Sequence, residues 1–292
     1  MTQVTNPTTP TTQPGGVGGG GSTIIGTPVG ANRLNGSPGS DIILTFEAAD
    51  VIAGGTGNDL IISGGNNDSV GGGDGNDTVI SGSGNDVVAG VSGDDLIFGG
   101  KGNDLVDGGD GNDLVSGDTG NDTVLGGSGS DTVFGGQGSD IVSGGDGNDT
   151  VYGGKGNDTV NGGGGNDFIS GDRGDDVLTG GSGSDTFSFA SGVGGEFGLD
   201  TITDFTPGED KIRLKQAGVF NSLGGSVDST EFVVDAGFNP NSPTAATTNK
   251  LVYNPTSGLL YFNGGNGVLT VAQLQTGLQL NSSNASTYFE LF

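Results

Sequence analysis

The sequence predicts an all-β fold: a right-handed parallel β-roll, a β-solenoid of eighteen residues per coil, finished by a small C-terminal β cap. Three observations predict it. Aspartate recurs every nine residues without a slip from Asp41 to Asp185. An apolar residue stands two positions after each of these aspartates, from Ile43 through Val106 and Val160 to Phe187. A glycine frame precedes all of these aspartates but Asp50, cleanest in Gly99-Gly100-Lys101-Gly102-Asn103-Asp104 and Gly144-Gly145-Asp146-Gly147-Asn148-Asp149. A fixed period of this kind is the mark of a repeat architecture, in which stacked units bury a shared core.

Each part of the nonapeptide G-G-x-G-[N/S]-D-x-U-x (U apolar) has a physical reading. The segment x-U-x forms a short strand of three residues whose middle side chain points inward. The six residues GGxGxD form a turn, in which glycine permits positive φ and a close approach of backbone to an ion. Asn or Ser before the aspartate tolerates left-handed conformations. Two nonapeptides make one coil with strands on two opposed sheets, so alternate repeats share an edge. One edge carries Asp41, Asp59, Asp77, Asp95, Asp113, Asp131, Asp149, Asp167 and Asp185; the other carries Asp50, Asp68, Asp86, Asp104, Asp122, Asp140, Asp158 and Asp176. Carboxylates stacked at the strand spacing of about 4.8 Å repel one another unless something neutralises them.

Composition narrows what that something can be. Glycine contributes 66 of 292 residues, and 35 Asp+Glu against 8 Lys+Arg leave a net charge of −27. Such a balance disfavours nucleic acid and anionic membrane surfaces as partners. The chain has no Cys, His or Trp. Disulfides, thiolate nucleophiles and Cys or His metal sites are therefore excluded, while a hard cation bound through oxygen stays open. No stretch approaches the roughly 20 apolar residues of a membrane span.

The array over residues 36–188 resembles the RTX, or hemolysin-type, calcium-binding repeat proteins, whose nonapeptide is GGxGxDxUx. The resemblance implies Ca²⁺ ions between successive turns on each edge. Their ligands would be the carboxylates of Asp59, Asp68, Asp77, Asp86, Asp95, Asp104, Asp113, Asp122, Asp131, Asp140, Asp149, Asp158, Asp167, Asp176 and Asp185, with backbone carbonyls of turns such as Gly99/Gly102, Gly108/Gly111, Gly144/Gly147 and Gly153/Gly156. All-oxygen coordination suits Ca²⁺ and disfavours zinc or copper. Nine loops leave eight gaps on one edge and eight loops leave seven on the other, a ceiling of 15 ions, so roughly 10–15 are expected. Several copies are degenerate. Thr45-Phe46-Glu47-Ala48-Ala49-Asp50 lacks a glycine turn and reads as a capping strand without an ion; Ser63-Gly64-Gly65-Asn66-Asn67-Asp68 is shifted; Val91, Asp118 and Asp172 replace the second glycine.

The flanks divide the chain into a flexible Thr/Pro/Gly-rich tail (1–35), the array (36–188) and a C-terminal β cap (189–292). The tail has neither the basic start nor the apolar run of an ordinary signal peptide. Within residues 24–50 a makeshift N-terminal cap is also expected. The segment Leu199-Asp200-Thr201-Ile202-Thr203-Asp204-Phe205 through Asp210-Lys211-Ile212-Arg213-Leu214 resembles the element that follows the repeats in serralysin-like secreted proteins, and reads as two strands around a Pro-Gly turn. Leu251 to Phe262 reads as a β-hairpin, Val268 to Val271 as a further strand, and Tyr288-Phe289-Glu290-Leu291-Phe292 resembles a type I secretion terminus while also fitting an ordinary last strand.

The expected function is that of a secreted, extracellular, non-catalytic protein that folds on binding Ca²⁺ and leaves the cell through type I secretion machinery, as the resemblance implies. No His-Glu-x-x-His or Gly-x-Ser-x-Gly motif occurs, so no enzyme is expected. The alternative is a self-assembling structural or adhesive component of an extracellular layer, sheath or matrix. A row of outward side chains on one sheet, Leu44, Ile62, Ile80, Phe98, Phe134 and Tyr152, is larger than a monomer usually exposes. Cover by a terminal segment and self-association or surface docking both account for it.

Overall fold

The computed structural model describes residues 11–13, 20–189, 198–214, 232–235, 241, 250–264, 267–280 and 282–291. The chain forms two compact units, Met1–Asp146 and Gly147–Phe292. Both are parallel β-solenoids built on the nine-residue period, with eighteen residues per coil.

In the first unit, strands of six residues follow one another every nine: Val51–Thr56, Leu60–Gly65, Ser69–Asp74, Thr78–Ser83, Val87–Ser92, Leu96–Lys101, Leu105–Asp110, Leu114–Thr119, Thr123–Ser128, Thr132–Gln137 and Ile141–Asp146. Consecutive strands lie in different sheets, and within the unit strands eighteen residues apart pair in parallel, as in Ile97↔Val115 and Val106↔Val124. The strands are twice the length that x-U-x alone supplies. After the apolar triplet the register passes over the first glycine and resumes at the second, so Gly100 stands opposite Asp118 and Lys101 opposite Thr119. The second glycine takes positive φ and bends the strand while its neighbours stay in register, as Gly100 does at φ 105°. The reversal itself falls in the short stretch from the third glycine to the aspartate.

Alternation places one side chain per repeat inward. Ile43, Ile61, Val79, Ile97, Val106, Val115, Val124 and Val133 are fully enclosed. This column extends N-terminally of residue 36. Strand Thr23–Ile25 pairs with Ile42–Leu44 and Asn32–Asn35 with Val51–Thr56, which puts Ile24 and Leu34 in the inward position, both buried. Strand Thr11–Gln13 pairs in turn with Asn32–Asn35; the remainder of the expected tail, 1–10 and 14–19, lies outside the described residues.

The second unit continues the pattern with Thr150–Lys155, Thr159–Gly164, Phe168–Arg173, Val177–Ser182 and Thr186–Phe189. The segment after the repeats supplies two strands on either side of the Pro207-Gly208 bend, but their partners are the repeats. Asp200–Ile202 pairs with Val177–Ser182 and Lys211–Leu214 with Thr186–Phe189, all parallel, so the segment adds one more coil. Its inward side chains are Ile202 and Ile212, and Phe205 packs on Phe187 with ring centres 6.3 Å apart. Beyond it, Gly267–Gln273 joins Asp200–Ile202 in parallel and turns back antiparallel through Leu259–Gly264 and Lys250–Asn254. Gly258 takes positive φ (77°) at the hairpin turn. Phe289–Leu291 lies parallel on Lys211–Leu214, with Phe289 buried. Among the described residues the one helix is a 3-10 turn, Ser282–Thr287, and no helix is long and apolar enough to cross a membrane.

Candidate metal centre

The repeat aspartates sit where each strand begins, and their side chains turn back under the loop. All of those named as candidates are 1–3% exposed, Asp59 to Asp140 in the first unit and Asp149 to Asp185 in the second. Each backbone is tied into the stack. The Asp59 N–H donates to Asp77 Oδ1 at 2.8 Å, and the Asp59 carbonyl accepts from Thr78 N–H at 2.8 Å. The same N–H to Oδ1 bond joins Asp68 to Asp86, Asp77 to Asp95, Asp86 to Asp104, Asp95 to Asp113, Asp104 to Asp122, Asp113 to Asp131 and Asp122 to Asp140, at 2.7–2.8 Å. In the second unit it joins Asp149 to Asp167, Asp158 to Asp176 and Asp167 to Asp185 at 2.8–2.9 Å.

One carboxylate oxygen is thereby used and the other is not. Oδ2 of Asp59, Asp77, Asp95, Asp104, Asp113, Asp122, Asp167, Asp176 and Asp185 is sealed from solvent and accepts no hydrogen bond. A buried carboxylate oxygen without a donor is costly unless a proton or a cation meets it. The second requirement for a cation, further oxygens at the same point, is met by the first glycine of the repeat. A Cβ built on Gly108 would lie 2.5 Å from Asp113 Oδ2 and 2.3 Å from the carbonyl oxygen of Gly126, one coil further on. At Gly90 the corresponding oxygens are Asp95 Oδ2 at 2.1 Å and Gly108 O at 2.3 Å; at Gly162 they are Asp167 Oδ2 at 2.4 Å and Gly180 O at 2.7 Å. Gly99 faces Asp104 Oδ2 and Gly117 O, and Gly153 faces Asp158 Oδ2 and Gly171 O. Gly144 lends its carbonyl to the same arrangement at Gly126. Each cradle thus brings a carboxylate oxygen of one coil to a carbonyl oxygen of the next, and a side chain on the glycine would fill it.

The third glycines have a different place. Gly102, Gly111, Gly147 and Gly156 take φ of 127–146°. Their N–H groups donate to the adjacent coil, Gly102 to Thr119 O and Gly111 to Ser128 O at 2.8 Å, Gly147 to Gly164 O at 2.6 Å and Gly156 to Arg173 O at 2.7 Å. They stack on one another's carbonyls: a Cβ on Gly102 would sit 1.7 Å from Gly84 O and one on Gly174 1.5 Å from Gly156 O.

Burial dominates the acid–base behaviour of the ladder. It pushes the carboxyls of Asp95 and Asp122 up to about 7, and those of Asp77, Asp104 and Asp167 up to about 6, with stacked aspartates adding to the rise and the backbone N–H bond opposing it. Asp68 also rises to about 7 by burial, against its N–H bond from Asp50. Asp41 behaves in the opposite way. Burial alone would raise it, but N–H groups of Ser37 and Ser22 and the Ser37 hydroxyl satisfy both its oxygens and hold it below the ordinary value. Protein donors thus satisfy Asp41 at the end of its edge. On the other edge Asn32 stands one coil before Asp50, where a further aspartate would fall, and donates to Asp50 Oδ1 from its N–H at 2.6 Å and its amide at 2.9 Å.

Asp200 and Asp210, outside the nine-residue count, take up the ladder at its C-terminal end. Asp200 Oδ1 accepts from Asp176 N–H at 3.2 Å and Asp210 Oδ1 from Asp185 N–H at 3.0 Å. Burial and the neighbouring Asp176 raise the Asp200 carboxyl. The signal that finds them is Asp-x-Ile, kept in Asp200-Thr201-Ile202 and Asp210-Lys211-Ile212 after the spacing is lost. Asp204 instead caps the coil, accepting from Gly180 and Gly181 N–H at 2.9 and 2.8 Å.

The donor set offered to a cation is all oxygen, anionic on one side and neutral carbonyl on the other, which fits Ca²⁺. The chain matches the family described as the RTX calcium-binding nonapeptide repeat (4 copies) at residues 29–61, 44–79, 80–115, 89–124, 116–151, 125–160 and 152–187. A search of the curated proteins found no match. The matched segments run together from residue 29 to residue 187, more than half of the chain, and coincide with the coils that carry the orphaned carboxylates: the chain belongs to the RTX calcium-binding nonapeptide-repeat family.

Proposed function

We propose that this calcium-binding repeat protein is a secreted, non-catalytic protein that folds outside the cell by taking up many Ca²⁺ ions. The observation that carries the reading is the column of buried Oδ2 atoms, each beside a carbonyl of the next coil. Asp59, Asp77, Asp86, Asp95, Asp104, Asp113, Asp122, Asp131, Asp140, Asp149, Asp158, Asp167, Asp176 and Asp185 would hold the ions with the first-glycine carbonyls. Bound Ca²⁺ supplies positive charge between coils and joins them through shared coordination. The protein's own part is to aim one oxygen of each carboxylate by an N–H bond, leave the other bare, and keep water out. Export through type I secretion machinery in a metal-poor, extended state fits such a chain, because folding waits for the ion.

Non-catalytic action is supported by the absence of His and Cys and of any nucleophile motif. A second reading, self-assembly into an extracellular layer or docking to a cell surface, is favoured by the apolar side chains that both outer faces of the first unit present. Ile42, Ile80 and Leu114 on one and Val51, Val87, Leu105 and Ile141 on the other are 37–56% exposed.

One titration tests both. Ca²⁺ is added to the full chain in chelator while far-UV circular dichroism and light scattering are read together. The expected result is little β signal in chelator and a cooperative gain with Ca²⁺. A full β spectrum in chelator would overturn the first reading. Scattering that rises with the β signal supports the second, and scattering that stays at the monomer value defeats it.

A further inference from the structure

On one edge of the first unit the cradle is not empty. The first-glycine position is Thr45 before Asp50, Ser63 before Asp68 and Ser81 before Asp86, whereas the opposite edge keeps Gly54, Gly72, Gly90 and Gly108. All three hydroxylated residues are buried. Their hydroxyls run from coil to coil: Thr45 Oγ1 donates to the Ser63 carbonyl, and Ser63 Oγ donates to the Ser81 carbonyl at 2.7 Å, with Ser81 Oγ 3.4 Å away. These carbonyls are the counterparts of Gly126 O at the Gly108 cradle, the neutral oxygens that a cation between coils would use.

We infer that Thr45 and Ser63 close the Asp50 and Asp68 rungs with hydroxyl bonds in place of Ca²⁺, so that this edge begins its ion ladder only beyond them. This rests on the calcium reading above and sharpens it. Asp50 and Asp68 keep a buried Oδ2 like the other aspartates; what differs is the space beside it, filled by a side chain, and the carbonyl across it, already bonded to a donor. A hydroxyl joins two coils with one hydrogen bond at any Ca²⁺ concentration, while an ion does so only when supplied. The closed rungs adjoin Asn32 and Asp41, where protein donors bond Asp50 Oδ1 and both oxygens of Asp41. The N-terminal coils are thus the part of the array whose cohesion depends least on calcium.

The test counts ions. Bound Ca²⁺ per chain is measured on full-length protein by equilibrium dialysis at saturating Ca²⁺, for the wild type, Ser63→Gly and Gly99→Ser. Gly99 is the next first-glycine position along the same row and its φ is not in the left-handed region, so serine there extends the hydroxyl ladder by one rung. Ser63→Gly should gain one ion and Gly99→Ser should lose one. An unchanged count in both variants overturns the inference, and if Ser63→Gly fails to fold, Gly99→Ser decides alone. The outcome is separable from the calcium reading itself: a wild-type chain that takes up no Ca²⁺ would sink that reading, whereas many ions with no change on substitution would sink only this one.

Discussion

At the scale of single residues, the three glycines of the repeat recur along the chain for two different reasons, and substitution separates them. The first glycine has ordinary φ but no room. Alanine at 108 would place its Cβ 2.3 Å from Gly126 O and 2.5 Å from Asp113 Oδ2. Overpacking of this kind costs about 1–3 kcal/mol, and the methyl also occupies the cation's place. Gly108→Ala is expected to lower the thermal midpoint in saturating Ca²⁺ and to lose one ion; a variant with the wild-type midpoint and ion count would refute the cradle. The second and third glycines are needed for backbone conformation. The four non-glycine residues at positive φ among those described, Asn66, Val91, Asp118 and Asp172, all stand at these positions. Val91 at φ 91° is the most awkward, being β-branched and half exposed. Backbone strain there is about 1–3 kcal/mol, partly offset in a glycine variant by the greater freedom of its unfolded chain. Val91→Gly should raise stability by about 1 kcal/mol, seen as a thermal midpoint a few degrees higher in Ca²⁺.

At the scale of elements, the aspartate ladder couples folding to protons as well as to metal. In the folded, metal-free chain burial raises Asp95 and Asp122 to about 7 and Asp77, Asp104 and Asp167 to about 6, from an ordinary value of 3.8. A raised folded-state value means that protonation favours the fold. The contribution is fully present below about pH 4 and is lost as the pH climbs through 6 and 7. In chelator the β signal is therefore expected to grow when the pH is lowered from 7.5 toward 4.5, and Ca²⁺ binding near pH 6.5 should release protons, seen as a buffer-dependent binding enthalpy. A metal-free chain that loses β structure on acidification would contradict the buried ladder. The sequence made much of this element legible, because Asp, U and glycine each recur in one register. It showed less where chemistry departs from the period. The strand runs six residues because pairing resumes at Gly100 and Lys101 beyond Gly99, a stretch that composition reads as turn. Asp200 and Asp210 fall 24 and 25 residues after Asp176 and Asp185, so a nine-residue count passes over them although their Asp-x-Ile survives. The role of Ser63 was visible only as a faulty repeat; that its hydroxyl spans two coils is a matter of three-dimensional stacking.

At the scale of the whole molecule, the choice of ion follows from what the fold leaves open. The chain brings 35 acidic residues against 8 basic ones and no soft ligand, so any resident cation must be one that accepts oxygen alone. Ca²⁺ and Mg²⁺ both qualify, but they differ in what they demand. Mg²⁺ requires near-ideal octahedral geometry at about 2.0–2.1 Å and gives up its water reluctantly, whereas Ca²⁺ accepts six to eight oxygens at about 2.3–2.6 Å in looser arrangements. The cradles are sealed from solvent, and they are framed by backbone carbonyls of the stacked strands and by one carboxylate whose other oxygen is held by an N–H bond. Such a frame has little freedom to contract around a small ion and little room for its retained waters. With the ion shared between coils, binding one prepares the next, because each coil is held only by its neighbours. Mg²⁺ added to the chelated protein at the concentration at which Ca²⁺ saturates folding is accordingly expected to leave the far-UV spectrum that of the metal-free chain. Ca²⁺ added afterwards should produce the full β signal over a narrow concentration range. Equal folding by the two ions would mean that the stacked carboxylates need only charge neutralisation, and that the carbonyl half of each cradle plays no part in holding the metal.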